Sequence, residues 1–473
     1  MSLGPSPVGV GGSLDRGSGA ARTATSPRSC SGAGFGNGVA VDTALQRTLG
    51  PVMLWGLGVG FVISGEYFGW NLGLPVAGSY GMMAATAVVT VMYVTFILSY
   101  TELACAIPRA GGAFVYAARA FGPAGGLVAG LAQLVEFVFA PPAIAMAIAA
   151  YVTQRYPGLS PELVAIGAYG VFTALNAWGV KQAATFELVV TVLAVAEILV
   201  FVAIVGPHFS WAAFSRDPLP NGWAGAFDGL PFAIWFYLAL EGVANAAEEA
   251  REPQRSIPLG FGAAMATLLV LATMVFFFAV GVDGWRSVVF PAGSDTPSDA
   301  PLPLALAHVV DPSSWMYTML LGVGLLGLIA SFHGIIFAAG RATMELGRSG
   351  YAPAILGGVH ATRHTPLPAL LANMGLGIAA ILTGRTGEII TLAVLGALVL
   401  YATSMASLFR LRRAEPALER PYRAVAYPVF PAIALGLAVV CFVAVVRSAP
   451  QVAAVFVGIF AVGAAFRALS RRA

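Results

Sequence analysis

The feature that most constrains the fold is a succession of apolar runs, each about 20 residues long, along nearly the whole chain. A run of this length crosses a hydrocarbon core of about 30 Å as a single helix. Of the 473 residues, 58% are hydrophobic and only 10% are charged, whereas about 25% are charged in an ordinary soluble domain. Runs with strand-like alternation are absent from the pattern, so a membrane barrel is not indicated. The sequence therefore predicts an all-α membrane protein.

Twelve such runs can be delimited, and we expect each to form a transmembrane helix within a membrane domain over residues 50–468. The first six are Val52–Leu74, Met82–Cys105, Ala124–Tyr151, Glu162–Trp178, Glu187–Gly206 and Gly229–Glu248. The last six are Ile257–Val282, Trp315–Gly340, Pro366–Thr383, Glu388–Phe409, Tyr427–Val446 and Pro450–Arg467. The connection over residues 283–314 has too little apolar material to fold alone.

The positions of the basic residues predict the orientation in the membrane. If the N-terminus is cytoplasmic, all but five of the 25 Lys and Arg residues fall in inner segments, the five being Arg155, Arg216, Arg286, Arg385 and Arg447. Cytoplasmic connections retain Lys and Arg, so we expect both termini in the cytoplasm and the protein in the cell (inner) membrane. The net charge of +3 then faces membrane lipid, and no nucleic-acid site is predicted.

The terminal segments and the cysteines give no sign of a further domain. Residues 1–49 are rich in Gly and Ser and lack the apolar core of a signal peptide, so we expect a disordered cytoplasmic tail. Residues 469–473 form the predicted cytoplasmic C-terminus. The three cysteines, Cys30, Cys105 and Cys441, have neither metal-ligand nor disulfide-framework spacing. We predict no cofactor, no metal and no enzymatic activity.

Two predicted spans carry a glutamate in their interior beside a glycine. At a rise of about 1.5 Å per residue, Glu66 lies about 21 Å and Glu241 about 18 Å into its span. An acid at this depth is expected to face a cavity, a partner or a ligand. Gly-interrupted spans in corresponding halves indicate a binding site between discontinuous helices, although glycine also serves close helix packing. We therefore expect helices one and six to be broken within a five-plus-five repeat that two further helices follow.

Two motifs resemble those of the amino acid, polyamine and organocation (APC) transporter superfamily. The segment "IPRAGGAFVYAARAFGP" (residues 107–123) resembles its inner loop after helix two, and "AAEEAREPQRSIPLG" (residues 246–260) resembles its signature after helix six. Within that superfamily, "VISGEYFGWNLGLP", "ELACAIPRAGGAFVYA", "QLVEFVFAPPAIA" and "LIASFHGIIFAAGR" are similar to the ethanolamine permease group. The resemblance covers residues 48–467, and it implies an inverted repeat with the substrate at the breaks in helices one and six.

The break in helix one departs from the pattern of relatives that carry amino acids. Those relatives have small residues there, whose free N–H groups hold the substrate carboxylate, whereas this chain has Ser64, Gly65, Glu66 and Tyr67. A resident carboxylate repels a substrate carboxylate and attracts an ammonium group. We therefore expect a small cationic amine as cargo, with ethanolamine as the leading candidate. The alternative for Glu66 is a bond to another helix.

Further substrate-site candidates follow from the resemblance and from membrane depth. Glu241 and Gly242 occupy the family's break in helix six, where Ala239 replaces the usual Gly. Glu136 is an isolated acid about 18 Å into helix three. The remaining candidates, with ordinary packing or buried pairing as the alternative for each, are Tyr237 and Asn245. Trp235 flanks this group, and Tyr67 with Phe68 is expected to offer cation–π contacts.

The candidates for a proton relay or gate are His333, Glu102 and Glu249. His333 is expected to pair with an acid or to make a plain helix–helix hydrogen bond, since imidazole titrates near neutrality. Glu102 lies near Arg109 at the inner end of helix two, and Glu249 belongs to a charged group at the inner end of helix six. No lysine is found within helix five, where some proton-coupled relatives carry one, so the coupling ion is left as proton or sodium.

Together these observations predict a secondary active transporter that imports a small amino-alcohol cation by alternating access. An amino-acid permease or exchanger of the same superfamily is the alternative within transport. A membrane sensor that binds the amine without moving it is the alternative outside transport, although such a protein usually adds a soluble domain. The predicted partners are the amine, a coupling ion and membrane lipid.

Overall fold

The computed structural model describes residues 49–109, 111–178 and 180–470. Apart from Leu49, the predicted tail lies outside the described residues, as do Cys30 and residues 471–473. The described chain is helical, and its only strand-like feature is an isolated bridge between Leu49 and Ala250. The prediction of an all-α protein is confirmed for this part of the chain.

Seventeen α-helices and four short 3₁₀ segments make up the described fold. Helices of the first half are α1 (Pro51–Val62), α2 (Ser64–Tyr67), α3 (Leu74–Ala106), α4 (Ala113–Arg155), α5 (Pro161–Trp178), α6 (Val180–Val205), α7 (Trp211–Phe214), α8 (Ala224–Asp228) and α9 (Leu230–Trp235). Those of the second half are α10 (Pro253–Asp283), α11 (Trp285–Val289), α12 (Pro301–Ala307), α13 (Trp315–Arg348), α14 (Leu367–Ile381), α15 (Thr386–Ala414), α16 (Val429–Ser448) and α17 (Pro450–Ser470). The 3₁₀ segments are Trp70–Gly73, Gly206–His208, Leu240–Glu249 and Ala354–Gly357.

Nine helical segments of the described chain are long and apolar enough to cross a membrane. They coincide with nine of the predicted spans, so the protein is a multi-pass membrane protein. The other three predicted spans fall on α1 with α2, on α5 and on α14, which are interrupted, shorter or less apolar. The count of twelve spans and the inverted repeat therefore stay predictions.

Helix one is interrupted around the predicted stretch Ser64–Tyr67. α1 ends at Val62, and the short helix α2 continues through Tyr67. Phe68 then adopts an extended conformation and Gly69 has φ +93°. Glycine tolerates this positive φ without steric penalty, so the chain leaves the helix there and resumes at Trp70 as a 3₁₀ turn.

Helix six breaks at Ala239, immediately before the predicted Glu241–Gly242 pair. α9 ends at Trp235, Ala239 has φ +76°, and a 3₁₀ segment follows over Leu240–Glu249. The left-handed conformation is the reason a glycine is usual at this position, because an L-residue there is strained by about 1–2 kcal/mol. The chain keeps the break although it carries alanine.

The segments that contain helices two and three are each interrupted by a glycine with non-helical backbone. α3 begins at Leu74 and is kinked at Gly78, whose φ is +67°, before the predicted start of helix two at Met82. α4 begins at Ala113 and is kinked at Gly122, whose φ is +69°, two residues before the predicted start of helix three at Ala124. Much of the motif at residues 107–123 is consequently helical rather than a loop.

The connection between the seventh and eighth spans contains α11 and α12 and packs onto the bundle. Its Ser298 carbonyl accepts a hydrogen bond from Asn71 (2.8 Å) in the 3₁₀ turn that follows the break in helix one. The Asp299 carboxylate accepts one from Thr386 (2.9 Å) at the start of α15. Burial of the Asp299 carboxyl raises its pKa to about 6. The connection thus folds against its neighbours instead of alone.

Helix six forms the centre of the bundle, and the last two helices form its edge. In an apolar 18-residue stretch of Leu230–Glu249, 94% of the residues are buried. The corresponding shares are 28% for α16 and 17% for α17. α1 packs on α6, α10, α13 and the 3₁₀ segment of helix six. The two broken segments are therefore enclosed by other helices.

We expect Ala239→Gly to raise the free energy of unfolding by about 1 kcal/mol, because glycine removes the left-handed strain but adds freedom to the unfolded chain. The matched control is Ala247→Gly in the 3₁₀ segment that follows, where φ is not positive. This exchange should lower the free energy of unfolding by about 1 kcal/mol. Thermal unfolding in detergent measures both. A lower midpoint for Ala239→Gly than for the wild type would contradict the strain.

Candidate functional site

The two broken helices meet where Gly65 approaches the end of α9. A Cβ atom added at Gly65 would clash with the carbonyl oxygen of Trp235 and lie 3.1 Å from the Cα of Phe236. Only a residue without a side chain lets these backbones come so close. Gly65 therefore holds helix one against helix six at the predicted site.

Glu66 lies at this junction with no exposed surface and no partner. Its exposed fraction is 0%, and neither carboxyl oxygen has a hydrogen-bond partner. None of the ion pairs formed by the described residues includes it. A buried carboxylate without a partner is strongly disfavoured, so this group takes up either a proton or a cation. Glu66 faces neither the surface nor an arginine.

An unpaired donor lies on the facing helix. The indole N–H of Trp235 is buried without an acceptor. A Cβ atom at Gly69 would lie 2.6 Å from this nitrogen, and the Trp235 ring meets the Phe68 ring edge-on at 5.5 Å. The junction of the two broken helices thus contains an unsatisfied carboxyl group on helix one and an unsatisfied N–H donor on helix six. Sequence reasoning placed Trp235 only at the flank, because an aromatic residue in a helix ordinarily indicates packing.

Glu136 and Glu241 form a carboxyl pair beside this junction. The two carboxyl groups are neighbours that interact electrostatically, while both oxygens of Glu136 and Oε1 of Glu241 lack a hydrogen-bond donor. The Tyr401 hydroxyl donates to Glu241 (3.2 Å), and the hydroxyl groups of Tyr401 and Tyr93 lie 2.8 Å apart. Two carboxylates in contact repel each other, so the pair shares a proton or attracts a cation. The sequence predicted both acids, but not their contact or the two tyrosines.

Ser64 and Tyr67 use their hydroxyl groups to join helix one to other helices. Ser64 donates to the Ser331 hydroxyl (2.8 Å) on α13. Tyr67 donates to Glu197 (2.5 Å) on α6, and its ring meets Tyr151 edge-on at 6.5 Å. Both residues therefore anchor the broken segment, and the predicted cation–π contact of Tyr67 with cargo stays a prediction.

The remaining candidates on helix six are also engaged with neighbours. The Tyr237 hydroxyl lies 2.8 Å from that of Thr90. Asn245 accepts a hydrogen bond from Gln133 (3.4 Å). A Cβ atom at Gly242 would lie 3.1–3.3 Å from the rings of Phe61 and Phe137, so this glycine serves close packing.

Glu102 is bound by arginines, but not by Arg109. It accepts two hydrogen bonds from Arg412, pairs with Arg420 (3.1 Å) and accepts the Ala424 N–H (2.7 Å). Arg109 lies beyond the end of α3, whereas Arg412 and Arg420 come from the end of α15 and the connection after it. Glu102 therefore fastens α3 to that connection.

The other two candidates for a relay or gate also have partners. Glu249 pairs with Arg341 of α13 (2.8 Å), and His333 Nδ1 lies 3.1 Å from Glu187 of α6. The His333 pairing that the sequence left open is therefore with Glu187. Within the described ranges, no group of three or more His, Cys, Asp or Glu side chains is arranged to hold a metal.

A multi-pass helical membrane protein with unpaired polar groups between two broken central helices has the architecture of a permease-type transporter. A model of the amino acid permease family matches residues 49–465. An uncharacterized transporter of Rhizobium meliloti (strain 1021) is 30% identical over 407 residues, which are 84% of this chain and 85% of that protein.

Two relatives with named substrates come from Bacillus subtilis (strain 168). The methylthioribose transporter is 25% identical and the branched-chain amino acid permease BcaP is 24% identical, each over 83% of this chain and 87% of the relative. With the family match spanning residues 49–465, the chain belongs to the amino acid permease family.

We expect Glu102→Ala to lower the free energy of unfolding by about 3 kcal/mol, because it leaves the partly buried guanidinium groups of Arg412 and Arg420 without their carboxylate. Glu415→Ala is the matched control, since the Arg119–Glu415 pair is exposed and such pairs contribute about 1 kcal/mol or less. Thermal unfolding of both variants in one detergent makes the comparison. Equal midpoints for the two variants would remove the argument that Glu102 is an anchor.

Proposed function

We propose that the protein is a secondary active transporter that imports a small amino-alcohol cation, with ethanolamine as its preferred cargo, by alternating access. The observation that carries this proposal is Glu66, a fully buried acid at the helix break whose two carboxyl oxygens lack partners. Ser64, Gly65, Tyr67, Glu136, Tyr237, Glu241, Gly242 and Asn245 complete the proposed substrate site.

The charge of the site supports an amine over an amino acid. Glu66 and the Glu136–Glu241 pair are buried acids, and no ion pair of the described chain neutralises any of them. An ammonium group is attracted to such a site, whereas a substrate carboxylate is repelled by it. Serine differs from ethanolamine by one carboxylate, so this pair of solutes isolates the effect.

The hydroxyl of an amino alcohol has a candidate partner as well. The Trp235 N–H is a buried donor without an acceptor, and an alcohol oxygen accepts such a bond. Binding ethanolamine would then satisfy the acid on helix one and the donor on helix six together. A plain alkylamine would satisfy only the acid.

The two ends of the bundle support alternating access. On the predicted inner side, Glu249 pairs with Arg341 across helices six and eight, and Glu102 fastens the inner end of α3. On the predicted outer side, residues 291–300 cover helix one through the bond from Asn71 to Ser298. The proposed cycle opens one of these closures at a time, with both termini in the cytoplasm.

An amino-acid permease or exchanger is the second candidate function. It is favoured by the relative that is a branched-chain amino acid permease. Counterflow in proteoliposomes loaded with ethanolamine, with labelled ethanolamine outside, tests both candidates. Ethanolamine counterflow that serine does not inhibit supports the amine, whereas counterflow of labelled serine without counterflow of ethanolamine supports the amino acid.

We expect Glu66→Gln to lower ethanolamine counterflow at least tenfold, because the amide cannot neutralise the ammonium group. Glu388→Gln is the control, since Glu388 forms only an exposed pair with Arg385. Uptake is normalised to protein recovered in the liposomes. Counterflow by Glu66→Gln at the wild-type rate would refute the role of this carboxylate.

We expect Trp235→Phe to reduce the preference for ethanolamine over ethylamine by about tenfold, the value of one hydrogen bond of about 1.4 kcal/mol. Trp55→Phe is the control because the Trp55 N–H bonds to Thr267, away from the site. Competition constants for the two amines give the preference in each variant. An unchanged ratio in Trp235→Phe would show that the indole does not bind the cargo hydroxyl.

A further inference from the structure

One of the buried acids outside the proposed substrate site is paired with a histidine. Glu187 of α6 and His333 of α13 are joined by a 3.1 Å contact between Oε2 and Nδ1, and their side chains are 2% and 4% exposed. Neither residue belongs to the proposed amine site. A pair of titratable groups this deeply buried calls for a role.

The inner half of helix one lies directly on this pair. Glu187 Oε1 is buried without a partner. A Cβ atom at Gly334 would lie 2.8 Å from this oxygen, and one at Gly60 of α1 would overlap it. Close to it, Thr191 donates to the Gly56 carbonyl of α1 (3.2 Å). Any movement of α1 away from α6 and α13 therefore uncovers the carboxyl group.

No other charged group among the described residues reaches the pair. α1 has no titratable side chain. Three titratable residues within the neighbouring helices are engaged elsewhere: Tyr169 of α5 packs on Phe332, Glu197 of α6 accepts from Tyr67, and Arg341 of α13 pairs with Glu249. Glu162, Tyr317, Glu345 and Arg348 lie near the ends of α5 and α13. Around His333 lie the rings of Phe172 and Phe186, and Asn176 bonds its backbone carbonyl.

A carboxyl–imidazole pair in such dry surroundings is stable with one shared proton. Without that proton a naked carboxylate would be buried, and with a second proton an unpaired imidazolium would be buried. Contact with water removes both restrictions, because water solvates either charged form. The pair therefore holds a proton while α1 covers it and can release the proton once α1 moves.

The same helices connect this pair to the substrate site. Ser331, two residues before His333, donates to the Phe61 carbonyl (2.5 Å) at the end of α1 and accepts from Ser64. Glu66 follows Ser64 within the same turn. A shift of helix one on α13 thus acts on the pair and on the substrate site together.

We propose that the Glu187–His333 pair carries the coupling proton of transport. The proton is held between Oε2 and Nδ1 while α1 is packed on α6 and α13, and it passes to water on the cytoplasmic side when the inner half of helix one moves away. The inference rests on the proposed transport function, to which it adds the coupling ion and its binding residues.

The test compares two readouts of the same proteoliposomes. One is ethanolamine counterflow without ion gradients, and the other is ethanolamine accumulation driven by an imposed pH gradient, acidic outside, with the membrane potential clamped. We expect the ratio of gradient-driven accumulation to counterflow to fall at least tenfold in Glu187→Gln. His333→Gln, which keeps a hydrogen-bonding amide, should lower the same ratio, whereas the exposed Glu388→Gln should leave it at the wild-type value.

A wild-type measurement keeps the proposal testable if the variants do not fold. A pH-sensitive dye inside wild-type liposomes should report acidification when ethanolamine enters. Uptake driven by a sodium gradient without acidification, or a wild-type ratio in Glu187→Gln, overturns the proton role of the pair. Absence of ethanolamine counterflow in the wild type overturns the transport proposal instead, so the two failures are distinguishable.

Discussion

The free energy of an acid in a dry helix bundle is the constraint on which this structure depends. Every carboxylate removed from water must be paired, protonated or matched with a cation. Arginines pair with Glu102 and Glu249, and a tyrosine hydroxyl donates a hydrogen bond to Glu197. Glu66 has no such partner among the described residues. Both carboxyl oxygens of Glu136 lack hydrogen-bond partners as well, so the two unpaired acids near the helix breaks are informative about cargo.

Close backbone contact is the second condition for the site. Helix one reaches helix six because Gly65 has no side chain, and helix six turns because Ala239 accepts a left-handed conformation. The positions of the polar groups at the junction therefore depend on this close backbone contact. Hydroxyl bonds from Ser64 and Tyr67 fix the broken segment against α13 and α6. A rigid frame thus surrounds unsatisfied groups.

The sequence predicted the membrane class and the spans because hydropathy is a local property of about 20 residues. It also found the acids at the breaks, since a charge in an apolar run is conspicuous. It did not predict the kinks at Gly78 and Gly122 or the short helices before them, because whether a glycine bends, breaks or packs a helix depends on tertiary neighbours. Partners distant in sequence, such as Glu187 for His333 and Arg412 for Glu102, leave no local signal.

The short bridge before helix one has a consequence for genetics. Leu49 donates through its N–H to the Glu249 carbonyl (2.9 Å) and accepts through its own carbonyl from the Arg251 N–H (2.8 Å). Both bonds belong to the main chain, so replacing either side chain leaves them intact. Alanine scanning will therefore not detect these two hydrogen bonds between the segments that precede helix one and follow helix six. Proline at residue 49 or 251, which deletes the donor itself, is the exchange that reveals it.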